Sequence, residues 1–163
     1  MSYPFVGMSG MGVLYDYFRA VDDATAVQLM ADLDGGPVVT VDGRPGIDAI
    51  DLKGIDPAVT LGQLVALARG VPWQDDLVGE RLLWNAGEEG PWLTSLDDTT
   101  RDTLASITPA QLPELSAGWG RTEELAWDGP LPADQMQPVV EAVAALARRA
   151  RDAGESLYCW CCL

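Results

Sequence analysis

Histidine is absent from this chain, and its absence excludes more chemistry than any single residue supplies. Without an imidazole to take the nucleophile's proton, neither a Ser-His-Asp triad nor a Cys-His pair can be built. HExxH zinc sites and most mixed metal sites are excluded with them. Lysine is almost absent: Lys53 stands alone among basic residues that are otherwise arginine. There is no glycine-rich phosphate loop with its lysine, and no GxGxxG following a strand. No run of 18 apolar residues exists, so no segment reads as a membrane span. The segment 1–10 has neither a positively charged stretch nor a cleavage site, so it does not read as a signal peptide. Met8 and Met11 follow Met1 closely, and residues 1–10 read as an extension that packs poorly. The three cysteines all lie within Cys159–Leu163. An odd, clustered set is no disulfide framework, and it fits a reducing cytoplasm.

What the chain has in excess is negative charge. It carries 25 acidic against 10 basic residues, a net charge of −15. Phosphates demand clustered Lys and Arg, so direct binding to nucleic acid or anionic lipid is not expected. A basic protein partner is permitted, and solubility is favoured. With 163 residues, 48% hydrophobic and 21% charged, the composition is that of one globular domain. A chain of this size buries roughly 70% of its unfolded surface and needs no disulfide or metal to fold.

The pattern of residues predicts the elements. Val13–Ala20 reads as a strand. Asp22 caps a helix over 23–33, with Val27, Leu29, Met30 and Leu33 as its apolar set and Gly35-Gly36 as its stop. Val38–Val41 is a short strand candidate. Thr60 and Gln63 form a capping box for a helix ending at Gly70. A Trp-rich middle follows, with Trp73, Trp84 and Trp92 and a loop from Asn85 to Pro91. Ser95 caps a helix over 96–107, and Thr108-Pro109 opens another short one. Gly118–Pro132 reads as irregular. The last helix is placed from Pro138, because an interior proline breaks a helix. Its stripe is Val139, Val140, Val143, Leu146, Ala147 and Ala150, and Gly154 caps it. Leu157–Leu163 is a terminal strand. The expectation is one α+β domain over 1–163: a small mixed sheet holding the N- and C-terminal strands, covered by about five helices.

No residue is singled out as catalytic, and no cofactor is implied. Cys159 and Cys162 have CxxC spacing, and thiolates bind soft metals or exchange disulfides. Yet a reactive CxxC opens a helix, and three sulfurs fall one short of a structural zinc set. Cys159, Cys161 and Cys162 are therefore metal candidates of last resort, and a buried strand is the preferred reading. Trp84 and Trp160 are assigned to the core. Trp73, Trp119 and Trp127 are candidates to line a cleft or binding surface, together with Glu88 and Glu89 in an exposed loop. Asp16 lies among Leu14, Tyr15, Tyr17 and Phe18. Either it is partly buried with a raised pKa, or it faces solvent on the other side of the strand, and the second is preferred.

Several segments carry a resemblance. They are Tyr15-Asp16-Tyr17-Phe18-Arg19-Ala20, Lys53-Gly54-Ile55-Asp56-Pro57, Leu61-Gly62-Gln63-Leu64, Val71-Pro72-Trp73, Gly90-Pro91-Trp92, Leu112-Pro113-Glu114-Leu115 and the Tyr158–Leu163 ending. With these the chain resembles a family of uncharacterised actinobacterial proteins over nearly its whole length after residue 12. More weakly, it is similar to YfbM-like bacterial proteins in the order of its elements. The resemblance implies the fold and brings no catalytic residue.

Three readings of function follow. The first is a non-enzymatic, acidic, protein-binding protein of immunity-type or regulatory role. The second is a small-ligand-binding protein or hydrolase with a cleft of carboxylates and tryptophan. The third is a thiol or metal protein using the terminal cysteines.

Overall fold

The computed structural model describes residues 13–127 and 129–163. The segment read as a poorly packed extension lies outside them. Five strands form one sheet in the order β2-β1-β5-β4-β3: β1 Leu14–Ala20, β2 Ala49–Asp51, β3 Glu80–Asn85, β4 Trp92–Leu96 and β5 Ser156–Cys162. Both end strands are in the sheet, as expected. Every pairing is antiparallel, so the sheet mixes no strand senses.

The helices are α1 Asp23–Asp32, α2 Thr60–Arg69, α3 Asp98–Ala105, α4 Leu112–Gly120 and α5 Ala133–Ala153. Alternation along β1 and β5 sends side chains to two separate cores. Tyr17, Leu157 and Cys159 face a core built with α2, α3, α4 and α5. Phe18, Tyr158 and Trp160 face a smaller core closed by α1 and Val38. The sheet is thus sandwiched between four helices on one face and one helix plus a loop on the other.

Local chemistry sets the ends. The Asp22 carboxylate accepts the Thr25 N–H at 2.8 Å and caps α1 as the sequence implies. At α2 the expected capping box is replaced by Asp56, whose carboxylate accepts from Val59 N–H, Thr60 N–H and the Thr60 hydroxyl. Asp56 followed by Pro57 is an acceptor and a helix-compatible proline one turn upstream. Ser95 lies in β4, and α3 starts only after Asp97. The Thr108–Gln111 capping box forms as the Thr108-Pro109 signal suggested, around a short 3-10 turn.

Helix α5 overrides the proline rule. It begins at Ala133, and Pro138 lies inside it. Pro138 and Asp134 are both exposed, so the turn that loses its N–H partner lies on the solvent side of the helix. The predicted stripe from Val139 to Ala150 is buried throughout. Helix α4 reaches Gly120, so Trp119 is helical and not in an irregular segment. Val38–Val41 forms no strand, because two of its amides are engaged by a side chain described below.

Strand β5 pairs with β1 along its length and with β4 on its other side. Leu157, Tyr158, Cys159 and Trp160 are all at most 3% exposed. Each such side chain contributes roughly 1.5–3 kcal/mol, against a domain stability of about 5–15 kcal/mol. Deleting residues 157–163 should therefore abolish cooperative unfolding, as read by circular dichroism on heating. A deletion variant that stays soluble with an unchanged Tm would show that the central strand is dispensable.

Candidate functional site: a groove beside the edge strand

A groove of about 860 Å³ separates α1 from the β3–β4 hairpin. Ala24, Val27, Gln28 and Ala31 form its helical wall. Their spacing of three and four residues puts them on one stripe of α1. Met30, Leu83 and Trp84 supply apolar surface, and Ala86 and Pro91 close the far wall. The hairpin presents Leu83 and Trp84 together because β3 carries a bulge between Leu82 and Trp84.

Asp23 sits where α1, β3 and β5 meet. It accepts from the Arg81 guanidinium at 2.6 Å and from the Tyr158 hydroxyl at 2.9 Å. Arg81 first and Tyr158 second hold its carboxyl below the usual range. A carboxylate so engaged is a structural tie and no general base. Among the described residues, no Ser, Thr or Cys lines the groove; its charged lining is Asp23, Asp34 and Arg81.

The residues singled out from sequence are scattered. Glu88 and Glu89 are exposed in the turn between β3 and β4, adjoining the groove wall. Trp127 is 71% exposed and lies outside the groove. Trp73 is half-buried; its indole N–H donates to the Ala58 carbonyl at 3.0 Å and its ring lies against Gly62 of α2. Glycine at 62 leaves the room that this ring occupies. Trp119 is fully buried and donates to the Thr60 carbonyl at 2.9 Å, so it is core and no part of a binding surface. The spacing of Leu112, Leu115 and Trp119 is helical and was the available signal. Trp160 is core as assigned. Trp84, assigned to the core, is half-buried on the groove instead.

The cysteines divide by strand alternation. Cys159 and Cys161 face the four-helix side, and Cys162 packs against the opposite core. The CxxC pair, Cys159 and Cys162, therefore points to opposite faces of the sheet. Among the described residues no group of three or more His, Cys, Asp or Glu is placed to hold a metal ion. Burial pushes the Cys159 thiol well up, with Cys161 adding to it, and burial raises Cys161 as well.

Asp16 is the one buried carboxylate among the described residues, at 4% exposure, which corrects the solvent-facing preference. Its Oδ2 accepts from the Val38 and Val39 amides at 3.0 and 2.9 Å. Those bonds pin the loop after Gly36 onto the sheet and leave the Val38 and Val39 amides unavailable to a strand ladder. Asp51 is its cross-strand neighbour on β2, and Arg44 lies near. Burial raises its pKa to about 6; the two amides and Arg44 pull down, and Asp51 pushes up. Gly36 has a positive φ of 96° and lies against the Trp160 indole, leaving no room for a Cβ. That indole donates to the Gly35 carbonyl at 2.8 Å.

No helix among the described residues is long and apolar enough to cross a membrane. The architecture and groove define an antiparallel α+β sandwich with an open cleft at one sheet edge. No family model, curated protein or solved structure matches the chain.

Asp16 generates a pH dependence of known sign. A carboxyl whose folded pKa lies above its unfolded value favours folding in its neutral form. Its contribution is complete below about 3.8 and is lost as pH rises through about 6. The range amounts to about 3 kcal/mol at ~1.4 kcal/mol per unit. Asp16→Asn keeps an acceptor for the two amides and stays neutral. It should be more stable than the parent at pH 7.5, with the difference vanishing towards pH 4, in chemical unfolding across that range. Parallel curves for the two proteins would show that Asp16 does not titrate there.

The thiols should be inert. Native protein should label slowly and incompletely with a thiol reagent, and fully once denatured. Prompt native labelling, or stoichiometric zinc or copper in protein purified without added metal, would contradict this.

Proposed function

We propose that this is a non-enzymatic cytoplasmic protein that binds a basic protein partner, in an immunity-type or regulatory role. One observation carries the reading: most arginines engage acceptors within the fold, Arg81, Arg149 and Arg151 doing so at the surface, while several carboxylates stand exposed with no ion pair among the described residues. Arg19 pairs with Asp48 and Glu155, Arg81 with Asp23, and Arg149 with Asp48. Arg101 pairs with Asp98 and Asp102 and also donates to the Glu155 carbonyl. Arg44, Arg69 and Arg148 donate to Pro37, Thr103 and Ile107. Meanwhile Asp32, Asp42, Asp75, Asp76, Glu88 and Glu89 are exposed, and none forms an ion pair among the described residues. With 10 basic residues against 25 acidic, the outer field stays strongly negative and favours a cationic surface over a phosphate backbone. Kinship with the actinobacterial family belongs to the same proposal and brings no catalytic residues to it.

The association rate with such a partner should fall steeply as salt rises, because exposed charges are screened beyond about 8 Å at physiological ionic strength. Pull-downs from the native cell extract at low and high salt test this. A basic protein retained at low salt and released at high salt is expected. Charge reversal at Glu88 and Glu89 should slow association more than it speeds dissociation. Recovery of DNA or RNA in direct complex, or a partner indifferent to salt, would overturn the reading.

A further inference from the structure

We infer that a small recess on the four-helix face of the sheet, between Asp56 and Glu80, is the seat for one lysine or arginine side chain of the basic partner. This rests on the reading of the protein as an acidic binder and names the place and chemistry of contact.

Strand register builds the recess. Tyr15 of β1, Cys161 of β5 and Trp92 of β4 stand side by side across the sheet, and Thr94 follows Trp92 on the same face. With Asp56, from the loop before α2, and Glu80, from the start of β3, they line a cavity of about 220 Å³. Ligand pockets run to roughly 300–1,000 Å³, so this one suits a single side chain and not a peptide segment. One row further along, the face is sealed, where the Tyr17 hydroxyl donates to the Ile55 carbonyl at 2.6 Å. Tyr15, Trp92, Thr94 and Cys161 are only half-buried. The Trp92 ring lies against Gly90, whose missing side chain leaves room for it.

The lining favours a cation. Among the described residues, its charged groups are Asp56 and Glu80, with no arginine or lysine. Neither carboxylate forms an ion pair among the described residues. Asp56 accepts from the Val59 and Thr60 amides and the Thr60 hydroxyl. A carboxylate offers about four acceptor positions, so one remains. Glu80 keeps much of its surface in solvent, yet desolvation raises its carboxyl and the Asp56 charge raises it further. The two acids thus repel each other across the recess, and a cation between them relieves that repulsion. The N-terminal dipole of α2 offsets part of the Asp56 charge, a relief that Glu80 lacks. Tyr15 and Trp92 add aromatic surface of the kind that attracts an ammonium or guanidinium group and packs against its aliphatic stem.

The test titrates the full chain, isotopically labelled for NMR, at low salt. The probes are lysine and arginine capped as Nα-acetyl N-methylamides, with capped norleucine as the neutral control. Saturable shifts should appear at Tyr15, Trp92, Thr94 and Cys161 with the two cations and not with norleucine. Two variants judge the site. Glu80→Lys places a competing ammonium group in the recess. Asp42→Lys makes the same change of charge at an exposed, unpaired carboxylate that does not line it. Both should keep the parental Tm. Probe affinity should fall about fivefold or more in Glu80→Lys and stay within about twofold in Asp42→Lys. Shifts centred elsewhere, equal shifts with norleucine, or equal losses in the two variants would overturn the recess. A salt-sensitive natural partner that binds both variants alike would overturn the recess as its contact while leaving the acidic-binder reading in place. Probe binding in the recess, with no salt-sensitive partner in the extract, would overturn the reading and uphold the cation site.

Discussion

The fold depends on β5 lying between β1 and β4. Strands β1 and β2 form one antiparallel pair and β3 and β4 another, and β5 alone joins them. Leu14 pairs with Cys162, so nearly the whole described chain is closed into a loop by this one ladder. Closing so long a loop costs entropy before any reward arrives. The reward is that β5 then serves both cores at once, with Leu157 and Cys159 to one side and Tyr158 and Trp160 to the other. The apolar ending, read from the sequence as a buried strand with a metal or redox motif as the lesser alternative, is the sheet's middle.

Electrostatics follow from the same layout. The turn from α5 into β5 brings Glu155 to Arg19 on β1, while Asp48 before β2 bridges Arg19 and Arg149 of α5. Arginine suits this task because its planar fork reaches two acceptors from one fixed plane. A chain with one lysine and many arginines can therefore be strongly acidic outside and still be tied together by cations within. Structure and surface field are two outcomes of one allocation of charge.

Much of the fold was legible where one local signal agreed with tertiary need. The Asp22 cap, the α5 stripe and the apolar runs of β1 and β5 are of this kind. Strand β2 was not, since three residues held by register with β1 leave no periodic mark. The β3–β4 hairpin was hidden by its bulge, which breaks alternation at Leu82–Trp84. Pro138 misled because the rule against interior proline assumes a carbonyl with nowhere to turn, and here the affected stretch lies on the wet side of the helix. Of the candidate site, Glu88 and Glu89 were legible as an exposed loop. The groove was not, because residues 23–35 and 81–91 are far apart in sequence and are brought together only by the tertiary fold, and Trp84 carries no sign in the sequence distinguishing it from Trp119.

The anchoring of the loop after Gly36 by Asp16 bears on which sequence changes the molecule can absorb. The anchor is made from one side chain and two main-chain amides. Almost any residue at 39 can replace valine without loss of the bond, since the donor belongs to the backbone. Proline is the exception at 38 and at 39, because it has no N–H to give. At 16 even glutamate is a poor exchange, as its extra methylene needs room in a site already closed. Tolerance to drift along this loop is thus set by backbone chemistry: position 16 must keep a short acceptor, aspartate or asparagine, while the apolar residue it holds at 39 is free to vary.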